Sequence, residues 1–192
     1  MLARLGRQSD LERSGKRQIK RGQEMLAITT DTGIFFSILL KAIKAKYILE
    51  VGTSVGFSTL WLAEAIGKRG RIVTIETDLK KIKRAKEHFR KAGVEKLIDI
   101  RHGTALDILP TMKKHFDFIL IDADKENIVQ YFDLVLPLVR TGGIIAADNM
   151  LFPQAYRRMM QKYSDHVRSK HNVQSVTVPI GMGEEVTIKL YD

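Results

Sequence analysis

Tyr47-Ile48-Leu49-Glu50-Val51-Gly52-Thr53-Ser54-Val55-Gly56 decides how the rest of the chain is read. Its apolar run ends in Glu50, Gly52 and Gly56 frame a tight turn, and Phe57–Ile66 follows with helical character. That order gives a strand, a glycine-bearing turn and a helix N-terminus, a place where backbone approaches a ligand closely. A second strand, Arg71–Glu76, ends in an acid 20 residues after Gly56. An acid at about that offset reaches ribose hydroxyls in nucleotide-binding βαβ units. A dinucleotide fingerprint requires Gly-x-Gly-x-x-Gly, and Ser54 stands where the middle glycine belongs. That glycine lets the backbone pack against a pyrophosphate. The stretch therefore predicts a cofactor with a ribose and no pyrophosphate, for which S-adenosylmethionine is the candidate. An ordinary strand-to-helix connection is the alternative.

At 192 residues the chain has the length of one domain and buries roughly two-thirds of its unfolded surface. Hydrophobic residues make up 44% and charged residues 28%, the balance of a soluble globular protein. No apolar run reaches the ~18 residues of a membrane span, and the basic N-terminus lacks the apolar core of a secretory signal. With no Cys, disulfides, thiol nucleophiles and thiolate metal sites are excluded; a cytoplasmic protein fits. The net charge of +10 favours anionic partners such as nucleic acid, acidic substrates or a charged cofactor tail. A lysine-rich exterior that only solubilises the protein is the competing explanation.

Residues 1–24 hold seven Lys/Arg (Arg4, Arg7, Arg13, Lys16, Arg17, Lys20, Arg21) against three acids. They show little apolar periodicity and read as a basic segment forming a frayed or surface-lying helix, ahead of a single domain over residues 25–192. Asp31 or Thr32 is placed to cap a helix through Ile34–Ile43. Strands are then expected at Tyr47–Val51, Arg71–Glu76, Ile98–Arg101, Phe116–Ile121 and Gly143–Ala147, with helices near 58–66, 79–92, 126–136 and 154–168. Gly93 and Gly142 stand where helices should stop. The strands are nearly continuous apolar runs, the mark of a parallel sheet buried on both faces. Gln174–Val178 and Val186–Leu190 alternate instead, around Pro179-Ile180-Gly181, and predict a closing antiparallel hairpin. The fold class is α/β, a Rossmann-like doubly wound sheet, mostly parallel, with helices on both faces.

In such a sheet the ligand crevice lies at the carboxyl ends of the strands. Those ends carry Glu50 and Gly52, Glu76, Asp122-Ala123-Asp124-Lys125 and Asp148-Asn149. Carboxylates at that rim are partly desolvated and need partners. One of them, Asp124 or Asp148, is explained as a helix cap; four or more suggest a site. Asp122, Asp148 and Asn149 offer two carboxylates and an amide oxygen, too few to cage a metal fully. Mg²⁺ accepts such a set, keeping water or substrate oxygens in its open positions. Lys125 would sit near both the metal and a sulfonium, and neighbouring positive charge disfavours its ammonium form, so that the amine can accept a proton. A solvated lysine at a helix start is the plain alternative.

Three motifs in order, Leu49–Leu60, Ile121-Asp122-Ala123-Asp124-Lys125 and Ala147-Asp148-Asn149, resemble the cation-dependent O-methyltransferases, the family of catechol and caffeoyl-coenzyme A O-methyltransferases. The likeness covers about residues 25–192, including Met25-Leu26-Ala27-Ile28 and Pro179-Ile180-Gly181. It implies S-adenosylmethionine as methyl donor, a divalent cation, a small-molecule acceptor with adjacent hydroxyls and a homodimer. It assigns Glu76 to the ribose hydroxyls, and Glu50, Gly52, Ser58 and Asp122 to the donor pocket, with backbone near Ile28 closing over it. It places Thr104 and Ala105 near the adenine, Asp122, Asp148 and Asn149 on the cation, and Lys125 as general base. The cation eases deprotonation of the acceptor hydroxyl, and in-line placement supplies much of the rate.

Two departures stand out. The turn Gly103-Thr104-Ala105 has no acid where many methyltransferases bind the adenine amino group. Met150-Leu151-Phe152-Pro153 lacks the Trp and longer insertion of members acting on aromatic substrates. Phe152 and Trp61 are candidates for pocket or core, Trp61 for core. A second reading is tRNA modification at a hydroxylated base, favoured by the net charge and by Arg157, Arg158, Lys162, Arg168 and Lys170; sparse aromatics argue against single-strand recognition. A third is a cofactor-binding protein without catalysis, although no ligand or base is missing.

Overall fold

The computed structural model describes residues 1–14 and 28–192. In chain order the helices are α1 (Leu2–Arg13), α2 (Thr30–Ala42), α3 (Phe57–Ile66), α4 (Leu79–Ala92), α5 (Ala105–Ile108), α6 (Ile128–Val135) and α7 (Arg157–Arg168). The strands are β1 (Tyr47–Val51), β2 (Arg71–Glu76), β3 (Ile98–His102), β4 (Phe116–Ile121), β5 (Val139–Asp148), β6 (Val173–Val178) and β7 (Glu184–Lys189). They form one sheet in the order β3-β2-β1-β4-β5-β7-β6, parallel through β5 and antiparallel in the β5–β7–β6 portion. This is the doubly wound sheet with a reversed C-terminal hairpin. The order reverses between β1 and β4, and a crevice opens at such a switch point.

The two-residue period of a strand divides the core into two layers. Leu49, Val51, Ile119, Ile121, Ile145 and Ala147 pack beneath α5, α6 and α7, together with Phe132 and Tyr163. Ile48, Phe118, Leu120, Ile144 and Ala146 pack on the other side against Phe36 of α2, Phe57 and Leu60 of α3, and Phe89 of α4. Strands covered on both faces carry apolar residues at successive positions, so they lack the alternation of half-buried ones.

Several boundaries differ from expectation for identifiable reasons. The helix cap is Thr29, whose side chain accepts the Thr32 N–H at 3.0 Å; a hydroxyl five residues before Ile34, where the apolar stripe begins, adds a turn at the start of the helix. Gly142 ends no helix but lies inside β5, which begins at Val139. The N-terminal segment is not a frayed surface helix over its described part. Leu5 is buried within the α3-side core, and Gly6 lets α1 lie close to Thr30 and Phe57. Met1 and Leu2 pack against the same core beside Leu5, a cluster too short to register as a stripe. Lys16, Arg17, Lys20, Arg21 and Met25-Leu26-Ala27 lie outside the described residues. Among the described residues, no helix is long and apolar enough to cross a membrane.

Candidate active site

A cavity of about 1030 Å³ opens at the carboxyl ends of β1 to β5. It exceeds the space most single ligands need. Gly52, Ser54, Glu76, Thr104, Ala105, Asp122, Lys125, Asp148 and Asn149 all line it. The turn after β1 is built for close approach: Gly52 has φ 101°, and a Cβ there would stand 2.0 Å from the Asp122 carbonyl oxygen. No side chain fits between these adjacent strand ends. Ser54 itself adopts a left-handed conformation, φ 47°, which costs a non-glycine residue about 1–2 kcal/mol. Its N–H donates to Glu76 Oε2 at 2.7 Å. The N–H that a pyrophosphate would claim is thus spent on the acid at the end of β2.

Glu76 forms no ion pair with Lys80 or Lys81. Its Oε1 accepts the backbone N–H groups of Thr77 at 2.9 Å and Asp78 at 3.0 Å. Backbone donors orient the carboxylate while lone pairs remain on the cavity side. Thr104 caps α5 through the Asp107 N–H at 3.2 Å, and its hydroxyl donates to Asp107 Oδ2 at 2.5 Å. Asp107 also lines the cavity. The acid missing from the turn therefore reappears one helical turn later, a position that a linear motif does not mark.

Glu50, Ser58 and Ile28 do not line the cavity. The strand period points Glu50 toward α3, where it is fully buried. Its carboxylate accepts the hydroxyls of Ser58 at 2.5 Å and of Thr59 and Thr74 at 2.6 Å each. Ser58 is consumed in this cluster, which ties β1, β2 and α3 together behind the glycine turn. Burial pushes the Glu50 carboxyl up to about 7 against the pull of the three hydroxyls. The Ile28 side chain sits in the α3-side core. Trp61 is likewise a packing residue, edge-on to Phe57 and covered by Gly33. Phe152 is exposed and outside the cavity wall.

The rim nearest β4 and β5 concentrates charge. Burial, then the charge of Asp148, raises the Asp122 carboxyl to about 6, opposed by Lys125. Lys125 is 5% exposed. Its Nζ lies 3.5 Å from Asp122 Oδ1 and makes no hydrogen bond among the described residues. Asp148 caps no helix; its Oδ1 accepts the Asn149 N–H at 2.7 Å. Asn149 follows with φ 72°, a conformation asparagine tolerates better than most residues. Asp124 caps no helix either, since α6 starts after Asn127 without a side-chain cap; it closes the preceding turn, accepting the Asn127 N–H at 3.1 Å and the Tyr131 hydroxyl at 2.5 Å.

Glu184 was not singled out from the sequence. It faces Asp148 across the β5–β7 ladder and is fully buried. Thr32 donates to its Oε1 at 3.1 Å, while Oε2 has no hydrogen-bond partner among the described residues. Burial and then Asp148 push its carboxyl up to about 11. Only the hairpin's return beside β5 brings these two acids together.

The Rossmann-like sheet, with its glycine turn and charged residues at adjacent strand ends, has the fold of the methyltransferase class. Within that class, the chain belongs to the O-methyltransferase family, whose model matches residues 8–189. It is 42% identical to catechol O-methyltransferase of Mycobacterium tuberculosis over 66% of this chain and 58% of that one. It is 40% identical to catechol O-methyltransferase of Niastella koreensis over 68% of this chain and 61% of that one. The matched regions thus span about three-fifths of these relatives' lengths. The O-methyltransferase TomG from Streptomyces achromogenes, solved in complex with SAM, superposes with TM-score 0.83 and 28% identity. That superposition covers 98% of this chain and 89% of TomG.

Proposed function

We propose that this protein transfers a methyl group from S-adenosylmethionine to a hydroxyl of a small acceptor, with help from a divalent cation. The observation that carries the reading is one cavity lined by Glu76 at its β2 end and by Asp122, Lys125, Asp148 and Asn149 at its β4–β5 end. The family membership and the donor-bound relative support it. The acceptor is a catechol-like or other vicinal-hydroxyl compound, in keeping with the named relatives. The donor contributes an electrophilic methyl on a sulfonium; Glu76 would hold the ribose, with Thr104, Ala105 and Asp107 around the base. Glu50 and Ser58 act one layer back, fixing the turn on which the donor rests.

The residues at the other end suit a hard cation. Burial and, second, the charge of Asp148 raise the Asp122 carboxyl, a cost that a bound cation would offset. Among the described residues no group of three His, Cys, Asp or Glu is placed to hold an ion. The set is two carboxylates and the Asn149 amide, leaving positions open for acceptor oxygens. When bound, the cation would lower the pKa of an acceptor hydroxyl. Lys125, buried and without a hydrogen bond among the described residues, is the general base that would take the hydroxyl proton onto Nζ.

Methyl transfer from labelled S-adenosylmethionine to a catechol-type acceptor tests the whole. Activity should require Mg²⁺, fall with chelation and be abolished in Asp148→Ala. Activity that survives both treatments would remove the cation from the mechanism.

A further inference from the structure

The net charge is not spread over the molecule. Helix α4 carries seven Lys/Arg and one acid, Glu87, while residues 1–24 carry seven against three. The net +6 of α4 and +4 of that segment account for the entire +10, so the remaining chain is neutral. A coat that merely aids solubility has no reason to gather on one helix.

Two other features narrow what this helix is for. Ile82, Ala85 and Phe89 are buried against the core, which leaves Leu79 in the first turn as the one large apolar side chain of α4 that is exposed. Its outer face thus presents charge without the aromatic and leucine face that inserts into a lipid interface. Several of its lysines are also uncommitted. Arg90 pairs with Glu95 at 3.5 Å, whereas Lys83, Lys86 and Lys91 join no ion pair among the described residues. On α7, Arg168 pairs with Glu185 at 3.5 Å and, just beyond, Lys170 pairs with Asp133 at 2.9 Å, while Arg157, Arg158 and Lys162 join no ion pair among the described residues. The basic row of α4 extends about 16 Å from Lys80 to Lys91 at 1.5 Å per residue. It runs away from the cavity, whose wall includes Lys81.

We propose that the outer face of α4 is a docking surface for the phosphodiester backbone of duplex nucleic acid. A row of unpaired lysines on a helix already packed on its sheet cannot enter a groove to read bases; it neutralises phosphates and positions the partner. The lack of aromatic side chains on that face excludes stacking on unpaired bases. The surface is independent of the acceptor chemistry proposed above, since none of Lys83, Lys86 and Lys91 lines the cavity.

The test measures binding of a fluorescein-labelled 20-base-pair RNA duplex, and of a DNA duplex of the same sequence, against salt concentration. The wild-type protein should bind with a steep negative slope of log Kobs on log salt. Removing three charges in Lys83→Gln/Lys86→Gln/Lys91→Gln should flatten that slope by about 2–3, near 0.9 per phosphate contact. A control variant, Lys68→Gln/Lys113→Gln/Lys114→Gln, removes the same charge from outside α4 and should leave the slope unchanged. Equal losses in both variants, a flat wild-type response, or binding only to anionic vesicles of phosphatidylserine would overturn the proposal. Unchanged S-adenosylhomocysteine affinity in the α4 variant would show that its fold is intact.

Discussion

At the scale of single residues, Glu76 and Glu50 show how two similar acids at neighbouring strand ends acquire different tasks. Glu76 sits at the cavity with its carboxylate oriented by three backbone N–H groups. Glu76→Ala should weaken S-adenosylhomocysteine binding by about 1.5–3 kcal/mol, or ~10–150-fold, the value of bonds to a charged group. Glu76→Gln, which keeps the shape of the turn, should recover part of the loss. Calorimetric titration of the three proteins decides this, and equal affinities would sink the ribose role. Glu50 instead governs stability. Its folded-state carboxyl is raised from 4.5 to about 7, so the native protein holds this proton more tightly than the unfolded chain. Its contribution is therefore full below about pH 4.5 and is lost as pH rises through about 7. The difference is on the order of 3 kcal/mol. Urea midpoints should decline from about pH 5 to pH 8, and Glu50→Gln should flatten that decline; parallel curves would show that another group is responsible.

At the scale of elements, α2 is fastened to the site by its first turn. Thr29 caps the helix and also donates to the Thr32 hydroxyl at 3.0 Å, which in turn donates to the buried Glu184. Gly181 of the hairpin turn passes so close that a Cβ would lie 2.1 Å from Thr32 Oγ1. Thr29→Ala should therefore cost about 1 kcal/mol for the lost cap, read as a lower urea midpoint at constant m-value. A fall in m would instead indicate that the helix end had come away from the hairpin.

At the scale of the whole molecule, two ligands of the proposed function should leave thermodynamic signatures. A cation that binds only the native state stabilises it by about 2.7 kcal/mol at 100 times its Kd. Mg²⁺ should thus raise the unfolding temperature of the wild type but not of Asp148→Asn; matching shifts would place the ion elsewhere. The second ligand we propose is another copy of the chain. Ile34 and Ile38, one turn apart on α2, are 44% and 61% exposed, and Val176 and Ile188 are uncovered on the same side of the sheet. An apolar surface of this kind fits a homodimer. Sedimentation should give a dimer that Ile34→Glu/Ile38→Glu converts to monomer.

The sequence alone determined the order of strands and helices, the doubly wound class and the set of polar residues at the strand ends. Those features are local: apolar runs fix strands, glycine turns fix their ends, and alternation of strand and helix leaves one rim for a crevice. It also carried Glu76, Asp122, Lys125, Asp148 and Asn149 to the same cavity, because each lies at or just beyond a strand's carboxyl end. Which way a side chain turns was decided only by the tertiary structure. Glu50 lies two residues before Gly52, yet the strand's period aims it at α3, and its partners Ser58, Thr59 and Thr74 come from other elements. Asp107 joins the cavity wall one helical turn past Thr104, and Glu184 meets Asp148 through the returning hairpin, a long-range contact that no linear spacing encodes. The docking of α1 rests on Leu5 and Gly6 meeting α3, a fit of shapes that exists only once both surfaces are formed.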